Sequence, residues 1–255
     1  MHGIRPPRSI LSAPILSRTG VGALIAVLAL GVSSCGSSEP DERSLPDLLL
    51  TSDMLPAQFT PAPMMIGDLV GANRRALEGA RSLEFSPRQC APTADAEFNP
   101  HVTEDNSALV VGRSDDGRVS ELISTVPYDV DADRRASLGP CATVTAVAKG
   151  GGIVDGSRIV TTARELPAVR DDAVTQSFLV RTQSITTFVD GGRRGRTMLK
   201  ATLLVQRPDR DPITVQLIVS GDSSAIDEGA GAPPAPVSDD EFSDLVREAV
   251  ARASR

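Results

Sequence analysis

The chain of 255 residues contains no tryptophan, one tyrosine (Tyr128), six phenylalanines, two histidines and, among its basic residues, only two lysines, Lys149 and Lys200. Scarce aromatics argue against a platform on which sugars or bases stack, since such platforms need exposed flat rings. Acidic residues outnumber basic ones 33 to 26, a formal charge of −7, so nucleic acid is not an expected partner. No apolar run reaches the roughly 20 residues needed to cross a bilayer; Val21 to Val32 is too short. No G-x-S-x-G elbow occurs, and past residue 2 the only histidine is His101, in a loop after Asn99-Pro100. A conventional Ser-His-Asp or Cys-His site would have to use it, and His101 reads as a surface residue.

Ahead of Cys35 stand Arg5, Arg8 and Arg18, no acidic residue, the apolar run, and then Val32-Ser33-Ser34. Charged, apolar and small-residue zones in that order make a secretory signal. Its ending on Cys35 resembles a bacterial lipoprotein signal, in which the cysteine is acylated and becomes the new N-terminus. Residues 1–34 are therefore expected to be removed, and 35–46 to tether a single domain, 47–255, to the outer side of the cell membrane. Cleavage takes away three arginines and no acid, moving the formal charge from −7 to −10. Basic residues are almost all arginine, and with abundant alanine, glycine, aspartate and valine this suggests a high-GC genome such as an actinobacterial one.

With Cys35 lipidated, Cys90 and Cys141 remain, and an even pair in an exported domain reads as a disulfide. Closing a loop of about 50 residues would stabilise the fold by roughly 4 kcal/mol in the chain-entropy model.

Patterning predicts a helix over 66–85 and a cap at Thr51-Ser52-Asp53. A hairpin, 108–113 and 118–126, turns at Asp115-Asp116-Gly117, and a short helix spans 129–138. Strands follow over 142–148, 157–164, 174–190, 197–206 and 213–220; the last alternates Ile213, Val215, Leu217 and Val219 with polar residues, as in a half-buried strand. Residues 221–237 read as a flexible connection. Ser238 and Glu241 form a capping box for a final helix with an apolar stripe of Phe242, Leu245, Val246, Ala249 and Val250. The class is α+β: a curved antiparallel sheet with helices packed on one face, the C-terminal helix among them.

Asp129, Asp131 and Asp133 imitate the start of a calcium loop, but Arg134 stands where that loop needs glycine and Pro140 where it needs glutamate, so no metal site is expected. Gly150-Gly151-Gly152 lacks the context of a phosphate-binding loop and reads as a turn. The hairpin tip 191–196 carries Arg193 and Arg194, which are the candidates for contacting an anionic ligand in a cleft on the sheet's open face.

The Leu48–Pro56 opening and the placement of Cys90 and Cys141 resemble those of the actinobacterial secreted and lipoprotein sensor domains, related to the extracellular domain of PknH-type Ser/Thr kinases and to the LpqN-like lipoproteins of mycobacteria. The resemblance implies a curved antiparallel sheet with helices on one side, enclosing a ligand cleft, with no enzymatic activity and no identified ligand; no cofactor is expected. The expected role is a non-catalytic, sensor-like lipoprotein. The alternative is a lipid or glycolipid carrier with an apolar cavity. Expected partners are the membrane, through the anchor, and an envelope small molecule, glycolipid or protein.

Overall fold

The computed structural model describes residues 43–91, 94–149 and 155–255; Cys35, the signal, most of the tether and the Gly150–Gly152 turn lie outside them. In chain order the regular elements are α1 (Leu45–Leu48), β1 (Thr60–Pro61), α2 (Ile66–Ala80), β2 (Leu83–Ser86), α3 (Ala94–Phe98), β3 (Ser107–Ser114), β4 (Gly117–Ser124), α4 (Val130–Ser137), β5 (Thr143–Ala148), β6 (Arg158–Glu165), β7 (Val174–Thr187), β8 (Arg193–Val205), β9 (Ile213–Gly221), β10 (Ser224–Ala225) and α5 (Asp239–Ala253). Short 3₁₀ turns occupy Arg88–Cys90, Asn99–His101 and Gly139–Cys141.

The strands form one antiparallel sheet in the order β1-β3-β4-β9-β8-β7-β6-β5-β2, with β10 beside β8. Most neighbours are joined by hairpins; the pairing of β4 with β9 brings together segments almost a hundred residues apart, Glu121 opposite Leu217. The α+β class, the antiparallel sheet and the capped C-terminal helix are as the sequence predicts. The helices, however, divide between the two faces. On one face α1 and α5 cover Val119, Ile123, Leu199, Leu203, Val215 and Val219, all fully buried. Phe242, Val246, Ala249 and Val250 of α5 reach zero exposure against them. On the other face Ile66 of α2, Phe98 of α3 and Val130 of α4 pack on Leu122, Phe178 and Val180.

Strand β9 shows what this second cover does. Its polar residues Thr214 and Gln216 are buried, with 0% and 8% exposure, and the chain before α4 reaches Thr214 at Val126. Thr214 Oγ1 donates to the Val126 carbonyl at 2.6 Å. A strand whose alternation reads as half-buried is thus buried on both sides; on its polar side Thr214 is hydrogen-bonded, whereas Gln216 Nε2 has no partner among the described residues. The same layer holds Lys200, whose Nζ lies 2.9 Å from Asp133 Oδ2 and donates to Tyr128 Oη at 3.3 Å. Thr202 Oγ1 donates to the same Asp133 oxygen at 3.1 Å.

Three local expectations change. The 66–85 helix stops at Ala80, and Leu83–Ser86 pairs with β5 as an edge strand, Phe85 opposite Ala146. Residues 51–54 turn without continuing into a helix, and the helix at this end is α1, before them. The 221–237 connection is pinned across the sheet. Thr197 Oγ1 donates to the Pro233 carbonyl at 2.5 Å, Gln58 Nε2 donates to the Pro236 carbonyl at 3.0 Å, and Gly195 has Pro233 so close that a Cβ there would sit 2.8 Å from it.

Candidate ligand-binding cleft

Cys90 and Cys141 are bonded, with their Cα atoms 5.4 Å apart. The bond ties the turn after β2 to the turn before β5, so the β2 edge is fastened by backbone pairing on one side and by sulfur at its end. Arg193 and Arg194 stand at the start of β8, just past the Asp190–Gly192 turn, and serve the chain itself. Arg193 donates to the Asp227 carbonyl at 2.7 Å and the Ala230 carbonyl at 3.4 Å. Arg194 donates to the Ser223 carbonyl and hydroxyl. Both guanidinium groups hold the 221–237 connection in place, and the nearby groove is lined by Asp115, Asp116 and Asp222, a poor setting for an anion.

The three aspartates of the calcium-like stretch have separate duties. Asp129 caps α4 by accepting from the Ala132 N–H at 2.7 Å, Asp133 turns inward to Lys200 and Thr202, and Asp131 is exposed. His101 is exposed on a surface groove beside Glu97 and Asp129. Among the described residues no cluster of three His, Cys, Asp or Glu side chains is placed to hold a metal ion.

An apolar-lined concavity lies at the β2 edge, beside α2. A cleft of about 740 Å³ opens between α2, β2, Ala91 and the stretch 96–100. Val70, Arg74, Leu77 and Arg81 come from one stripe of α2 and its C-cap, at the 3–4-residue spacing that puts side chains in a line. Leu83 and Phe85 face them from β2. Asn99 fixes the back wall: only 6% exposed, it donates to the Val70 carbonyl at 3.1 Å and accepts from Asn73 Nδ2 at 3.2 Å. A shallower groove of about 390 Å³ continues past Arg81, Leu83 and Phe85 to Arg88 and Lys149. Of these cations, Lys149 pairs with Glu84 at 3.8 Å, whereas Arg74, Arg81 and Arg88 make no ion pair among the described residues.

Helix α2 is thinly supported. Of its fifteen residues only Ile66 is buried, and Val70, Leu77 and Ala80 are half-buried along the cleft. Since helices in proteins draw most of their stability from a packed apolar face, α2 has apolar surface to spare on that side. The sequence contains the stripe, but not the strand it faces, because Leu83–Ser86 becomes a strand only through β5, some sixty residues on.

Sequence reasoning also passed over Glu121. It points into the dry core between α1, α5 and the sheet, at 0% exposure. Oε2 accepts from the Leu50 N–H at 2.7 Å, and Oε1 has no partner. Burial pushes its carboxyl up to about 7, against the opposing pull of the Leu50 N–H and of Arg252. Arg252 itself donates to the carbonyls of Leu49 and Asp47 at 2.5 and 2.8 Å.

Comparison with protein-family models gives no match, and none of the curated proteins matches the chain. Among solved structures, the chain is similar to an X-ray structure of an uncharacterized protein (Rv0999 ortholog) from Mycobacterium smegmatis. The identity is 15% and the TM-score 0.38, over 67% of this chain and 76% of that one.

Proposed function

We propose that this protein is a non-catalytic envelope lipoprotein, anchored through Cys35 on the extracytoplasmic side of the cell membrane, whose folded domain binds a small envelope molecule. The observation that carries the reading is the cleft under α2. Its volume of about 740 Å³ lies in the range of ligand sites, and it pairs apolar walls with a few charged groups at the mouth. Its lining residues supply no nucleophile with an adjacent base: Asn99 is held in structural hydrogen bonds, and the charged groups are two arginines and Glu78. The Cys90–Cys141 bond supports an exported, oxidising setting, as does the signal that ends on Cys35.

The carrier alternative stands second. It calls for a sheet curled around an apolar lumen, and the space between α5 and the sheet is filled by Phe242, Val246 and Val250 at zero exposure.

The test is recovery of a bound molecule. Protein exported and isolated from an actinobacterial host should carry a small molecule at near-stoichiometric yield by mass spectrometry. Leu77→Trp, which places an indole in the cleft, should abolish the recovery without altering thermal stability much, because Leu77 is half-buried at a surface. Recovery undiminished in Leu77→Trp would place the ligand elsewhere, and no recovered molecule from either protein would end the binding reading.

A further inference from the structure

The chemistry of the cleft narrows its ligand, given the binding reading above. Its walls are aliphatic and aromatic: Val70 and Leu77 from α2, Leu83 and Phe85 from β2. These side chains offer a ligand no hydrogen bond, so what lies between them must be apolar if it is to displace water with a gain. At the mouth the balance changes. Arg74 and Arg81 line the cleft, and Arg88 lines the groove that continues it; all three are exposed and free of ion pairs among the described residues. Against them stands Glu78, while Glu84 is engaged by Lys149.

A local excess of unpaired guanidinium groups runs against the chain's formal charge of −7, and a planar fork of donors suits phosphate or carboxylate. We infer that the cleft takes a single-chain amphiphile with an anionic head group, its chain lying along Val70, Leu77, Leu83 and Phe85 and its head held by Arg74, Arg81 and Arg88. The chain of such a ligand covers the half-buried side of α2, adding apolar contact to a helix in which Ile66 alone is buried. The head stays at the open end, where the guanidinium groups meet it without being buried themselves.

Isothermal titration calorimetry on the full chain carrying Cys35→Ala, which removes the acylation site, tests this with three soluble probes. Octyl phosphate presents chain and anion together, octanol the chain alone, and inorganic phosphate the anion alone. Octyl phosphate should bind at least about tenfold more tightly than either of the others, since each half contributes its own contacts. Arg81→Glu combined with Arg88→Glu should weaken octyl phosphate about tenfold or more and leave octanol unchanged. Both arginines are exposed, so these substitutions leave the core intact. Equal affinity for octyl phosphate and octanol, insensitive to the charge reversal, overturns the anionic head while leaving the cleft as a ligand site. Equal affinity for octyl phosphate and inorganic phosphate overturns the chain. Failure of all three probes, with a native molecule still lost on Leu77→Trp, overturns the amphiphile class alone. Failure of the probes together with undiminished native recovery in Leu77→Trp removes the cleft reading as well.

Discussion

Glu121 lies opposite Leu217 on β9, which in turn faces Ala201 on β8, so a carboxyl group sits in a row of apolar neighbours. Ionising it there costs solvation that a single N–H cannot replace, which is why its carboxyl is pushed up to about 7. A folded-state value above the unfolded one means that the native protein holds the proton more tightly. The contribution is fully present below the unfolded value, near 4.5, and is lost as pH rises through about 7. Urea unfolding should therefore show stability falling from pH 5 to pH 8, by about 3 kcal/mol from this group alone. Glu121→Gln keeps an acceptor for Leu50 and removes the titration, so it should flatten that dependence and be the more stable protein at pH 8. A pH profile unchanged by the substitution would assign the titration to other groups. The residue was illegible beforehand because Ser120 and Glu121 are adjacent in Val119–Ile123 and point to opposite faces, so either could face water. The disulfide was legible for the opposite reason: once Cys35 is assigned to the expected lipid, two cysteines are left and they have one pairing.

At the scale of elements, α5 was readable throughout because its cap, stripe and charges are local. Ser238 Oγ accepts from the Glu241 N–H at 3.2 Å, and the Glu241 carboxylate accepts from the Ser238 N–H at 2.8 Å. Structure adds Asp239, whose carboxylate accepts from Arg181 at 2.6 and 2.9 Å and from Arg164 at 2.6 Å, joining the start of α5 to β6 and β7. Burial opposes ionisation of Asp239, but the two arginines outweigh it and hold the carboxyl below its usual range. Phe242, at zero exposure, fills the space between this helix and the sheet. Phe242→Ala should destabilise the protein by about 3–5 kcal/mol in denaturant unfolding. A loss below about 1 kcal/mol would mean that α5 repacks easily and that the face is not the close-packed core described. Elements made by distant pairing were the unreadable ones. Strand β2 looked like the end of a helix, and two-residue β1 and β10 carry no pattern of their own. The polar side of β9 looked solvated because nothing in Thr214 or Gln216 announces that this side will be buried as well.

For the molecule as a whole, antiparallel strands and a C-terminal helix could be read from periodicity, whereas the assignment of helices to faces and the position of the cleft could not. Both depend on where α2 crosses, and that is set by β2 pairing with β5 and by the bond between Cys90 and Cys141. The anchor is testable at this scale. Cys35→Ala should move the protein from the membrane fraction to the soluble fraction or leave an unprocessed precursor; mature protein still partitioning into detergent would defeat the lipoprotein assignment. The proposed anchoring would give the seat of Leu45–Leu50 a mechanical meaning. This segment lies near the start of the described residues and is clasped by Arg252 from α5 and by Glu121 from β4. A pull arriving along the tether would load α1, α5 and the central strands, while the cleft sits on the opposite face at the β2 edge. Tension between membrane and domain would thus be borne by the dry core and would leave the mouth of the cleft undistorted.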